Sequence, residues 1–198
     1  MKKEGKIHQV MAVLNFLLPG LLLHRFTDHG GDATVMDKVY LSTNGNLKKG
    51  TMVLPAGNLE AMLTNIQAAG NSVARILAAR DSSLTQKNAP TVLSGHILFT
   101  QIEFPLLGGD DSPLMFADEP FEEYTRNVPD PTGGTRFSAT SVLVPPPVRL
   151  RVSMQVADNQ WFTAESLREL FETAGMTVRL GTYRKRFGAF EVADWKVS

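Results

Sequence analysis

Val148, Leu150, Val152, Met154 and Val156 alternate with Arg149, Arg151, Ser153 and Gln155. A period of two puts every second side chain on the same side of an extended backbone, so this segment has to be a strand with one face on a core. Such a strand cannot stand alone; it needs partners in a sheet and a layer that covers its apolar face. The rest of the chain offers both. Val10 to Leu23, broken by Asn15, Pro19 and Gly20, is the most apolar run and is expected to be a buried central strand over residues 8–18, with Pro19 and Gly20 as a turn or bulge. Ile97 to Phe104 is rich in β-branched and aromatic residues, which predicts a strand over 92–104.

Leu59, Met62, Leu63, Ile66 and Ala69 recur at helical spacing between Pro55 and Gly70, predicting a helix over 56–69. Val73, Ile76 and Leu77 suggest a short second one. Thr163 is the expected N-cap of a helix over 164–174 that turns Leu167, Leu170, Phe171 and Ala174 to one side and stops at Gly175. Met176, Val178 and Leu180 resume alternation, and Phe190 and Val192 close the chain as a last strand. In order the elements spell βαββαβ. The expected class is therefore α+β: a ferredoxin-like, RRM-like antiparallel sheet with two helices and long insertions.

The length of 198 residues, with 43% hydrophobic and 20% charged, suits one such domain spanning 1–198 and excludes a disordered chain. Net charge is zero overall, but +4 over residues 1–102, −7 over 103–130 and +3 over 131–198. The acidic part, rich in Pro and Gly, is expected to be an insertion over 105–136. With no cysteine, disulfides, thiolate metal sites and cysteine nucleophiles are excluded, and a reducing cytosol is comfortable. Lys2, Lys3 and Lys6 precede the first apolar run as in a secretory signal, yet His24, Arg25 and Phe26 follow it where a small-residue cleavage site would stand. That run is too short to span a bilayer, so the expected location is cytoplasmic, with no membrane partner.

Catalytic signatures are missing: there is no G-x-S-x-G, Walker A, H-E-x-x-H, or G-x-G-x-x-G after a strand. This lowers the expectation of an enzyme without excluding one. His24 and His29, near Asp28 and Asp32, match no metal-ligand spacing but could supply an acid or base. His8 and His96 lie in strand-like segments and are expected to be structural. Asp110 with Asp111, Asp118 with Glu119, and Glu122 with Glu123 are expected to form a solvated surface. No cofactor or metal is implied.

The segment Gly181-Thr-Tyr-Arg-Lys-Arg-Phe-Gly188 is the most informative. Arg184, Lys185 and Arg186 can neutralise phosphates, Tyr183 and Phe187 flank them with faces on which a base can stack, and Gly181 and Gly188 permit close backbone approach to an anion. The bland alternative is a basic turn joining two strands, with both aromatics in the core. Arg149 and Arg151 on the polar face of the alternating strand, and Lys48 and Lys49 before the first helix, are further candidate contacts.

The tail Ala174-Gly175, Leu180-Gly181 and Arg184 to Phe190 resembles the glycine-rich loop of the RAMP superfamily, the RRM-like crRNA-backbone subunits of CRISPR effectors, and that of phage proteins of similar design. The resemblance covers about the last fifty residues and the element order. It implies a modified RRM fold that grips single-stranded RNA by its backbone, commonly as repeated subunits, with Gly181 and Gly188 at the family's glycines and Arg184 to Arg186 at its basic positions. Some members cleave RNA with a histidine base, a role His24 could fill. The expected function is a non-enzymatic binder of single-stranded RNA or DNA, acting as a homo-oligomer or as a subunit of a larger complex. The alternatives are a metal-independent endoribonuclease using His24 or His29, and a phage structural or interaction protein.

Overall fold

The structure is a computed structural model, and it describes residues 5–25, 34–43, 45–65, 72–117, 121–128 and 136–198. The alternating segment forms β8 (Arg149–Ala157), with Leu150, Val152, Met154 and Val156 fully buried. It lies antiparallel to β1 (Ile7–Phe16), in a register running from Ile7 opposite Ala157 to Asn15 opposite Arg149. Along β1 the buried residues are Val10, Ala12, Leu14 and Phe16, while Met11 faces outward. The strand is central, as expected, but covered on one side only.

On the other side of β1 runs β9 (Phe190–Val197), also antiparallel. The outer flank of β8 is shared by β4 (Ile97–Phe99) and β5 (Glu103–Leu107), and β5 pairs in turn with the short β3 (Val53–Pro55). The order β9, β1, β8, then β4 with β5, interleaves first and third strands, which is the split βαβ arrangement expected of a ferredoxin-like sheet.

Among the described residues, four α-helices cover the inner face. In the first crossover, α1 (Ala56–Thr64), α2 (Val73–Arg80) and α3 (Ala89–His96) stand where a single helix and a short second one were expected. Residues 89–96 are helical although Thr91 and Val92 favour a strand, because Pro90 begins the turn and Ala89 and Leu93, one helical turn apart, are both fully buried. The strand expected over 92–104 is therefore confined to β4 and β5. The second crossover is α4 (Leu167–Thr177), which buries Leu167, Leu170, Phe171 and Ala174. Upstream, Thr163 and Ser166 cap one another, each hydroxyl oxygen accepting the other's backbone N–H.

Gly175 does not stop α4. It lies inside the helix because a Cβ there would come within 2.1 Å of the Phe190 carbonyl oxygen, so glycine lets β9 approach. Nor do Met176, Val178 and Leu180 form a strand: α4 runs to Thr177, and Arg179 then takes a left-handed φ of 66°.

A second, three-stranded sheet has the order β2 (Leu21–Leu23), β7 (Phe137–Val144), β6 (Glu122–Val128). The stretch expected as a polar excursion thus contains β6, and β5 extends into its start. Gly20, at φ 121°, lets the chain pass from β1 to β2, where a Cβ would lie 2.3 Å from the Val144 carbonyl oxygen. Among the described residues, no helix is long and apolar enough to cross a membrane.

Candidate nucleic-acid interface

The basic segment connects α4 to β9, so it is a helix-to-strand loop and not a hairpin between two strands. Its base is closed by backbone bonds from Leu180 N–H to the Gly188 carbonyl at 3.0 Å and from Gly188 N–H to the Gly20 carbonyl at 2.8 Å. Thr182 N–H donates to the Leu22 carbonyl at 2.9 Å, pinning the loop to β2. Gly181 (φ 76°) and Gly188 (φ 74°) are left-handed, and a Cβ on them would meet the carbonyl oxygens of Leu22 at 2.5 Å and Leu180 at 1.8 Å. These glycines serve close packing. The expectation that they open the backbone to an anion does not hold for Gly188, whose amide is already engaged.

At the loop's tip the Arg186 and Phe187 amides both donate to the Tyr183 carbonyl, making one tight turn that carries Arg184, Lys185 and Arg186. Tyr183 itself is left-handed at φ 46°, an unusual conformation for a bulky residue and one that the surroundings must hold. Those surroundings come from β6. Phe187 is buried with Leu22, Leu143 and Tyr124, and the Tyr124 ring meets it edge-on at 4.8 Å. Tyr183 stacks near Tyr124 at 6.5 Å, and the Arg126 guanidinium lies 4.4 Å from the centre of the Tyr183 ring. Arg186 sits 6.0 Å from the Tyr124 ring and 5.7 Å from Phe187. Cation–π contacts of this kind hold a guanidinium in place without neutralising it.

The loop cations differ from the other candidates in their partners. Among the described residues, Arg184, Lys185 and Arg186 have no carboxylate within salt-bridge distance. Arg184 is half-buried, and this desolvation lowers its pKa. Arg149 and Arg151, on the open face of the main sheet, both pair with Asp111, at 3.1 and 3.7 Å. Asp111 therefore answers much of their charge. Lys48 and Lys49 are exposed in the turn before β3, and no described contact joins them to the basic loop. Among the described residues, no contact joins the three expected cationic sites to one another. The structure adds instead Tyr124 and Arg126, which sequence reading missed. The signal was present: alternation along Glu122–Val128 puts both on one face, but the acidic charge of the region masked it.

His24 follows β2, with Nδ1 3.2 Å from the Thr140 carbonyl oxygen and 3.0 Å from Ser141 Oγ. A carbonyl only accepts, so that bond puts the proton on Nδ1 and makes Nε2 the acceptor. Burial lowers the ring's pKa, Lys38 and Arg126 lower it further, and the Thr140 carbonyl partly opposes them, a balance that favours the uncharged imidazole. His24 lines a cavity of about 140 Å³ with Leu23, Tyr40, Asn58, Gly181 and Thr182. His29, with Asp28 and Asp32, lies outside the described residues. His8 bonds Asp158 at 3.2 Å, and His96 donates to the Val92 carbonyl at 2.8 Å.

No protein-family model and no curated protein matches the sequence. Among solved structures, a chain in the cryo-EM structure of the Type III-B Cmr-beta bound to cognate target RNA is similar, with a TM-score of 0.60 at 12% identity. The match covers 97% of this chain and 61% of that one, so the protein spans about three-fifths of its neighbour's length. At this identity the likeness shows a shared fold.

Proposed function

We propose that the protein binds single-stranded RNA through the α4–β9 loop, without cutting it, as a RAMP-type subunit of a ribonucleoprotein of the CRISPR-like or phage kind. One observation carries this reading: three cations without carboxylate partners among the described residues stand on a single turn, beside an aromatic pair braced by a strand from the second sheet. Cations facing no carboxylate keep their charge for phosphates. The exposed Tyr183 offers a ring to a base. The shared fold with a chain of an RNA-bound complex supports the same reading. In such an assembly the acidic residues after β5 would meet a basic face of a neighbouring subunit.

Freshly purified protein is expected to show an absorbance ratio at 260 over 280 nm well above that of its own tryptophans and tyrosines, falling after ribonuclease treatment and a high-salt wash. The stripped protein should then bind a labelled single-stranded RNA in low salt. Clean protein that binds no such RNA would end the proposal.

A second reading, a metal-independent endoribonuclease, is favoured by His24, its pKa lowered, in a cavity beside Gly181 and Thr182. Its expected signature is cleavage of labelled RNA in excess chelator that disappears in His24→Ala. If intact RNA persists with the wild-type protein, or the variant cuts equally well, His24 is no catalytic base.

A further inference from the structure

We infer that the cavity between β2, α1 and the start of the basic loop is a base-reading subsite that takes one unstacked pyrimidine of the bound strand. The inference rests on the RNA-binding reading of the loop and adds to it a sequence preference.

Size is the first argument. The cavity measures about 140 Å³. An engineered cavity of ~150 Å³ in another protein holds a single benzene ring, so this one fits a single six-membered ring and is small for a fused purine. Its chemistry is the second. Apart from Leu23 and Gly181, the lining residues carry an imidazole, a phenol, a carboxamide and the Thr182 hydroxyl. None of these residues is a lysine or arginine, and the Tyr40, Asn58 and Thr182 side chains are donors and acceptors of the kind that pair with the polar edge of a base. A phosphate would call for the opposite: charge in the lining.

Position is the third argument. Lys38 and Arg126 act electrostatically on His24 from outside the lining, and Arg126 also covers the Tyr183 ring. Gly181 and Thr182 lead directly into Tyr183 and the three cations. A strand whose phosphates follow the cations therefore passes the cavity's edge. His24, Tyr40, Asn58 and Thr182 are all half-buried, so the cavity reaches the surface where that strand would run. The His24 ring is fixed from behind by Thr140 and Ser141 on β7, which suits a group that reads an edge.

The test compares binding of labelled 12-residue oligouridine, oligocytidine and oligoadenosine at matched salt. The wild-type protein should prefer one or both pyrimidine strands over oligoadenosine by about tenfold, the discrimination of a good polar base contact. Asn58→Ala and, as a variant that removes one hydroxyl, Tyr40→Phe should each erase most of this preference. Both should leave the oligoadenosine affinity and its salt dependence unchanged. Equal binding of all three strands by the wild type would overturn the subsite and leave the loop reading intact, as would a preference that survives both substitutions. If no strand binds, the loop reading itself fails and takes the subsite with it.

Discussion

Replacing Arg184, Lys185 and Arg186 together with alanine is expected to lower the affinity for single-stranded RNA by roughly ten- to a hundredfold at moderate salt. The reason is their lack of partners. A cation already facing a carboxylate must give up that pair to bind phosphate, whereas these three face none among the described residues. Each phosphate contact on a single strand contributes about 0.7 to the slope of log K against log salt, so the triple variant should lose up to about 2 units of slope. Lys185 and Arg186 are exposed, so Lys185→Ala with Arg186→Ala tests the loop without disturbing the half-buried Arg184.

The control is the pair Arg149→Ala with Arg151→Ala. Both arginines share Asp111 as a partner, and their removal should lower affinity less than the triple substitution does, since each must leave that carboxylate to meet a phosphate. Fluorescence anisotropy across a salt series reads both quantities. A triple variant with unaltered slope, or a control that loses as much as the triple, would move the interface from the loop to the open sheet face.

Gly188→Ala is expected to be the most damaging single glycine substitution at this site. The new methyl would sit 1.8 Å from the Leu180 carbonyl oxygen and 2.8 Å from its carbon, both backbone atoms that no rotamer change can remove. A φ of 74° adds the usual penalty for a side chain in the left-handed region. Together these should cost about 3 kcal/mol or more, which for a chain of this size lowers Tm by ~6–12 °C. Gly57→Ala supplies the contrast. A Cβ there meets nothing within 4 Å, and the residue is helical, so stability should hold or rise by about 0.5–1 kcal/mol. Thermal melts followed by circular dichroism distinguish the two. If Gly188→Ala melts with the wild type, the loop is not closed on Leu180 and Gly20 as described.

By itself the sequence determined what local patterns can determine. The alternation in β8 specified a one-faced strand, the order of apolar periods specified a ferredoxin-like sheet, and composition singled out the run from Tyr183 to Phe187 as the cationic loop. These follow from side-chain periods of two and 3.6 and from residue chemistry, which a chain carries before it folds.

Tertiary structure decided which distant groups meet. The β-branched and aromatic residues of Ile97 to Phe104 pointed to a strand from residue 92 onward, yet burial of Ala89 and Leu93 keeps the chain helical through His96. Gly175 looked like a stop signal, and only the approach of Phe190 shows it to be a contact point. Arg149 and Arg151 looked as available as the loop cations until the turn at Asp111 folded back onto them. Tyr124 and Arg126 became part of the site because β6 joins β2 through β7, and β2 holds the loop through the Leu22 carbonyl. Sheet register and close packing bring together residues that no local period relates, so the partners of the cationic turn were fixed only when the chain closed.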